Sequence, residues 1–196
     1  MTKSHQVCAI VLAAGLSKRA GAGNKLLNQI EGGSMIGRVV ENVVSSGASP
    51  VVVVTGHEAD SIHDVLKSCT VEFTHNPNFI DGMGSSIAQG VAALPDNAEG
   101  VLICLGDMPH IQAETFQKLI NAFDPEKGKD ICIPVLDGRR GNPVLFGRQH
   151  FDALKKIDGD RGAKTVTLSE AGSVIDVPVT DEGIFVDYDT TPQSAE

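Results

Sequence analysis

Lys18, Arg19 and Lys25 place three cations just behind the small residues Leu12-Ala13-Ala14-Gly15. Ala13, Ala14 and Gly15 let a ligand come close to the backbone, where main-chain N–H groups can point inward. The chemistry this suits is the holding of phosphates, with the cations neutralising what the amides alone cannot. The loop is not a Walker A motif, because it holds no Gly-Lys pair followed by Ser or Thr. It is not a G-x-G-x-x-G dinucleotide loop either, since Gly21 and Gly23 are followed by Leu26. Taken alone, it also suits a Gly/Ala-rich strand-to-helix turn with solvated charges. Gly106-Asp107-Met108-Pro109 is the second candidate. A carboxylate flanked by Gly and stiffened by Pro suits Mg²⁺, which is usually held by one or two carboxylates plus substrate phosphates. The alternative for Asp107 is to cap a helix that begins near Gln112.

Both motifs need strands behind them. Strand patterns fall at 7–13, 51–55, 71–75, 100–105, 130–135, 143–146, 173–178 and 184–186. Several are continuous Val/Ile/Leu runs, as expected of strands buried on both faces of a parallel sheet. Helix patterns lie at 35–46, 59–68, 85–94, 113–123, 148–156 and 162–170. This alternation predicts an α/β fold: an open three-layer α/β/α sandwich with a mostly parallel sheet. Such sheets bind ligands across the carboxyl ends of their strands, at a topological switch point. From Pro143 onward the pattern is less regular and reads as an antiparallel extension on the acceptor side.

The chain has 196 residues, 41% of them hydrophobic and 21% charged, which suits one domain over residues 1–196. A net charge of −9 without a basic stripe argues against nucleic-acid polymers, while a small anionic ligand needs only a local cluster. With one Tyr and no Trp, there is no platform for stacking bases of a polymer. Cys8, Cys69, Cys104 and Cys132 form no C-x-x-C pair, so core thiols are expected instead of disulfides or zinc ligands. The six histidines show no metal-ligand spacing, although His75 and His110 lie near motif ends. No signal-peptide or membrane-span pattern occurs, and a cytoplasmic protein is expected.

The ordered set is specific. Leu12-Ala13-Ala14-Gly15-x-Ser17-x-Arg19 with Lys25, His75-Asn76-Pro77, Gly82-x-x-Ser85-Ser86 and Gly106-Asp107-Met108-Pro109 resembles the molybdenum cofactor cytidylyltransferases, within the wider MobA-like NTP transferases. Gly141-Asn142-Pro143-Val144, Gly159-Asp160-Arg161-Gly162-Ala163 and Asp187-x-Asp189-Thr190 continue the match in family order, to residue 190. Three departures occur: Arg19-Ala20-Gly21 where Arg-Met-Gly is usual, Asn142 where His is more frequent, and an extra Thr191 before Pro192.

The resemblance implies a Rossmann-like nucleotide-diphospho-sugar transferase fold and the joining of CMP, from CTP, to molybdopterin with release of pyrophosphate. It implies that Asp107 holds Mg²⁺ on the α-phosphate, with Asp187 or Asp189 completing the coordination. Carboxylates two residues apart on an extended strand share a face, so spacing does not choose between them; Asp189 lies nearer the carboxyl end. Lys25 and Arg19 would neutralise the departing phosphates. Leu12, Ala13, Ala14, Gly15, Thr55, Asn76, Ser85 and Ser86 would contact the nucleotide. Ser85 and Ser86 equally suit a helix cap, and Asn76-Pro77 a turn. Asn142, Pro143 and Arg161 would face the acceptor. Relatives that use GTP tend to carry Gly at the Ala14 position, which favours CTP. The alternatives are GTP as donor, a sugar or polyol phosphate as acceptor, and a non-catalytic cofactor carrier. A molybdoenzyme client of the xanthine dehydrogenase type follows from the resemblance alone.

Overall fold

A computed structural model describes residues 5–16, 23–30 and 32–188, apart from the side chain of Arg161. Arg19 and Asp189 therefore lie outside the described residues, as does the strand-to-helix loop at 17–22. At the centre runs β1 (Val7–Ala13), a run of small and branched apolar residues buried along nearly its whole length. It pairs in parallel with β4 (Val51–Thr55) on one side and with β6 (Gly100–Leu105) on the other. In register, Leu12 stands beside Val54 and Leu105. A hairpin of β2 (Gln29–Ile30) and β3 (Gly33–Ser34) leads into α1 (Met35–Ser45). After β4 come α2 (Ala59–Leu66), β5 (Glu72–His75) and α3 (Met83–Ala92); after β6 comes α4 (Ala113–Ala122). The last third contributes β7 (Ile131–Leu136), β8 (Arg139–Arg140), β9 (Val144–Gly147), α5 (Phe151–Leu154), α6 (Lys164–Ser169) and β10 (Val174–Pro178). The main sheet runs β10-β7-β9-β6-β1-β4-β5, with β8 paired to β7.

The period of two along β1 sorts its side chains into two cores. Val7, Ala9, Val11 and Ala13 join α1, α2 and α4 through Val39, Val43, Ile62, Leu66, Phe116 and Leu119. Cys8, Ile10 and Ala14 join α3, α5 and α6 through Ile87, Val91, Phe151, Leu154 and Val166. Helices thus cover both faces of the sheet, the α/β/α sandwich expected from the sequence. Close approach demands Gly90, where a Cβ would meet Ile10 Cγ2 at 2.7 Å as α3 crosses the sheet.

Several expectations need correction. The 184–186 run is a 3₁₀ turn, Glu182–Phe185, and not a strand. Gly183 requires this: its Cβ would lie 2.5 Å from the His110 carbonyl oxygen, so the segment packs against another loop and not along a ladder. The 85–94 helix starts at Met83, ahead of both serines. The 148–156 segment is a 3₁₀ turn, Arg148–His150, followed by the short α5. The region beyond Pro143 is antiparallel only in β9, which lies between β6 and β7; β10 pairs in parallel with β7.

Candidate active site

The chain leaves β1 towards β4 and β5 on one flank, then returns as β6 on the other, so the switch point lies between β1 and β6. Gly106 continues β6 there and donates its N–H to the Leu12 carbonyl at 3.1 Å. A Cβ at this position would lie 2.6 Å from the same oxygen, so only glycine lets the two strand ends close together. The closure brings the two motifs into contact. Lys25 Nζ donates to Asp107 Oδ2 at 2.8 Å, with the side chains 18% and 21% exposed. Eighty-two residues separate them in sequence. Lys25 is aimed by the 3₁₀ turn Lys25–Leu27, whose start is fixed by Asn24 Oδ1 accepting from the Leu26 N–H at 3.1 Å. Two residues past the end of β1, Gly15 is exposed, with no heavy atom within 4 Å of where its Cβ would be.

Asp107 does not cap α4. Asp181 does so from across the chain, its Oδ2 accepting from Gln112 N–H at 2.8 Å and Thr115 Oγ1 at 2.7 Å. Its Oδ1 accepts from Gly183 N–H at 2.9 Å, which starts the 182–185 turn. No local sequence signal ties Asp181 to α4, because the two groups it serves there lie more than sixty residues away. The chain then crosses the Gly106–Pro109 turn, where Tyr188 N–H donates to the Asp107 carbonyl at 3.0 Å and Tyr188 Oη lies 3.2 Å from His110 Nε2. Asp187, exposed, is carried next to this junction.

On the β4 flank, Thr55 is fully buried and its hydroxyl donates to the Thr74 carbonyl at 3.5 Å. Asn76 Nδ2 donates to Ser85 Oγ at 2.9 Å and Ser86 Oγ at 3.0 Å, while its Oδ1 accepts from Asn78 N–H at 2.9 Å. The structure therefore joins these three predicted residues in one network that ties β5 to α3. Ser85 and Ser86 lie inside the first turn of α3, whose flanking residue is Gly82, so neither is the cap. Gly56 approaches Ala14 and Phe79, a Cβ there falling 2.9 Å from Ala14 Cβ and 2.7 Å from Phe79 Cβ. Ala13 and Ala14 are buried, and Leu12 is half-buried.

On the β9 flank, Asn142 N–H donates to the Ile184 carbonyl at 3.0 Å, and the Asn142–Pro143 peptide is cis. Gly141 packs against the same residue, a Cβ falling 2.6 Å from that oxygen. The Gly159–Gly162 segment does not join this group. It packs on the start of α3, where a Cβ on Gly82 would meet Asp160 Oδ1 at 2.6 Å and the Gly159 carbonyl carbon at 2.7 Å.

The molecule is thus a three-layer α/β/α sandwich with a cation and a carboxylate in contact at its switch point. A family profile described as the MobA-like NTP transferase domain matches residues 9–173, and the chain belongs to that family. The bifunctional protein GlmU of Pseudomonas syringae pv. syringae is 34% identical over 177 residues, 86% of this chain and 37% of that one. The chain thus spans little more than a third of such relatives. Nicotine blue oxidoreductase of Paenarthrobacter nicotinovorans is 28% identical over 192 residues, covering 95% of this chain and 94% of that one. Solved structures of two proteins share the fold. A nucleotidyl transferase from Methanothermobacter thermautotroptrophicus superposes with a TM-score of 0.81 at 24% identity, over 94% of this chain and 92% of that one. Rv0371c from Mycobacterium tuberculosis H37Rv gives 0.83 at 22% identity, over 96% and 95%. A manganese complex of Rv0371c gives 0.72 at 22% identity, over 89% and 88%. Among the described residues of the present chain, no helix is long and apolar enough to cross a membrane.

Proposed function

We propose that this chain, as one domain over residues 1–196, transfers CMP from CTP to the terminal phosphate of molybdopterin. The products are molybdopterin cytosine dinucleotide and pyrophosphate. The observation that carries this is the Lys25–Asp107 contact at the switch point, with the Asp187 segment bonded across the same turn. A phosphate oxygen of the acceptor attacks the α-phosphorus in line. The bond from that phosphorus to the α–β bridging oxygen breaks, and the electron pair leaves on pyrophosphate. Such chemistry needs positioning and charge stabilisation with little covalent help.

The residues divide this work. The backbone of Leu12–Gly15 lies along the phosphates, and Lys25, with Arg19, neutralises charge on the departing pair. When nucleotide enters, Lys25 exchanges part of its contact with Asp107 for phosphate oxygens, leaving that carboxylate for a cation. Hard oxygen donors at the end of β6 fit Mg²⁺, for which one or two carboxylates suffice when phosphates supply further ligands. Asp107 would hold it with Asp187 or Asp189, and its chemistry would be to withdraw charge from the α-phosphate. The Gly56–Ala14–Phe79 approach walls the base side. Thr55, Asn76, Ser85 and Ser86 shape that wall through their mutual bonds, and Asn142 and Pro143 border the acceptor. The dinucleotide would pass to a molybdoenzyme of the xanthine dehydrogenase type.

The end-to-end relative among oxidoreductases supports a second reading, oxidoreduction in the same cleft. Pyrophosphate separates the two, because an oxidoreductase releases none. The test is pyrophosphate release from each of the four NTPs with Mg²⁺ and molybdopterin, with the dinucleotide identified by mass. Product with CTP alone is the expected result. Product with GTP alone reverses the donor assignment, and no product with any nucleotide from folded protein removes molybdopterin as the acceptor, in favour of another acceptor or a cofactor carrier.

A further inference from the structure

Two adjacent arginines, Arg139 and Arg140, differ sharply in what holds them. Asp137 and Gly138 take left-handed backbone, with φ of 51° and 76°, and close a two-residue hairpin between β7 and β8. Leu136 pairs with Arg139 and Val135 with Arg140, so the two side chains leave opposite faces of the ribbon. Arg140 is neutralised, its Nε donating to Asp176 Oδ1 at 2.7 Å. Arg139 has no carboxylate partner among the described residues. Its guanidinium lies over the Phe185 ring, 4.5 Å from the centroid. Arg148, by comparison, is committed to the Ala98 and Asp96 carbonyls.

This stack sits at the carboxyl edge of the sheet, next to the proposed reaction centre. β7 ends at that edge, as β6 and β1 do, because both β6 and β7 pair antiparallel to β9. Ile184, beside Phe185, accepts from Asn142 N–H, and three residues beyond Phe185, Tyr188 bonds the Asp107 carbonyl. Three residues of extended chain span at most about 11 Å, so the platform under Arg139 is tied to the Asp107 turn at short range. An arginine stacked on an aromatic face keeps its in-plane N–H groups for a planar or tetrahedral oxyanion and loses little freedom when it binds one.

Resting on the transferase reading above, we infer that Arg139, held flat by Phe185, binds the phosphate of the acceptor and orients it towards the α-phosphorus. The ligand class is a phosphomonoester. The donor's triphosphate offers similar oxygens, so the experiment must tell the two apart.

Wild type, Arg139→Gln, Arg139→Lys and Phe185→Leu are compared with Arg140→Gln as control, each first checked for an unchanged far-UV spectrum. Molybdopterin binding without nucleotide is measured by calorimetry, and KM values for molybdopterin and CTP by dinucleotide formation. Expected for Arg139→Gln is a weakening of molybdopterin binding and a rise in its KM of about 10- to 100-fold, with the KM for CTP within about twofold. Arg139→Lys recovers part of the loss, Phe185→Leu loses less than Arg139→Gln, and Arg140→Gln changes neither KM. A rise in the CTP KM alone assigns Arg139 to the donor and overturns the inference; so does an unchanged molybdopterin KM. If wild type binds molybdopterin through Arg139 but makes no product, Arg139 remains the residue that binds the phosphomonoester and the transferase reading falls. If wild type binds no molybdopterin, both fall.

Discussion

The β1/β6 half and the β7–β10 half of the sheet present polar groups at the same edge by opposite means. In the first, neighbouring parallel strands reach the edge side by side, and the chain beyond each strand end delivers its own residues: Gly15 and Lys25 after β1, Asp107 after β6. In the second, β9 runs against its neighbours, and the polar groups come from a tight hairpin and a 3₁₀ turn. These are held by contacts such as Gly141 against Ile184 and Gly183 against His110. The first kind of site is built from strand order and the second from loop packing. A strand end fixes a residue through the ladder behind it, whereas a packed loop fixes it only as long as its remote partners stay in place.

The sharpest way to break this contrast is to remove the charge pair in the strand-built half. Asp107→Ala and Lys25→Ala are each expected to lower the rate of dinucleotide formation on the order of 10²–10³-fold. The double variant should lose much less than the product of the two, since the groups touch at 2.8 Å. Full additivity in a double-mutant cycle would mean that they act separately.

Next in size is the strand closure itself. Gly106→Ala forces a methyl to within 2.6 Å of the Leu12 carbonyl oxygen and is expected to cost about 1–3 kcal/mol by urea unfolding, with nucleotide affinity reduced. An unchanged midpoint would show that β1 and β6 part easily and that the contact is not required.

In the loop-built half the matching probe is Asp181→Ala. It removes the cap of α4 and the bond to Gly183, and a loss of about 1–2 kcal/mol is expected. The KM for molybdopterin should rise while that for CTP stays within about twofold, because the segment carrying Phe185 loses its anchor. Equal effects on both substrates would erase the distinction between the halves.

A pH titration tests whether the two halves unfold together. Burial raises the thiol of Cys8, in β1, from an ordinary 9.0 to about 11, and that of Cys132, in β7, to about 12. Cys104, in β6, is raised as well by its burial. A raised folded value favours the neutral thiol in the native state, so this contribution is fully present below pH 9. It is lost as pH rises towards and through the folded values, by up to about 1.4 kcal/mol per thiol per pH unit. Expected is a single unfolding transition whose Tm falls above pH 9, with a shallower fall in Cys8→Ala. Two separate transitions would show that the halves melt independently.

How much of this was legible follows the same division. The runs 7–13, 51–55 and 100–105 predicted β1, β4 and β6 to the residue, because strands buried on both faces admit little but branched and small apolar side chains. Lys25 and Asp107 followed from the loops after them. The Asp137-Gly138 pair is a hairpin signal in the sequence, and attention to it would have led to Arg139. Ser85 and Ser86 looked like caps, yet Gly82 and Met83 already open the helix and Asn76 takes both hydroxyls.

By itself the sequence determined the sandwich, the strand cores and the pairing of a cationic loop with a carboxylate turn, since period, composition and strand-end position are local properties. Only the tertiary structure decided that Asp181, and not Asp107, caps α4, that Tyr188 crosses the Asp107 turn, and that Arg139 lies over Phe185 while Arg140 pairs with Asp176. Each of those outcomes depends on which of several chemically equal partners arrives within hydrogen-bonding or stacking distance. That is set by how distant segments pack and not by any spacing along the chain.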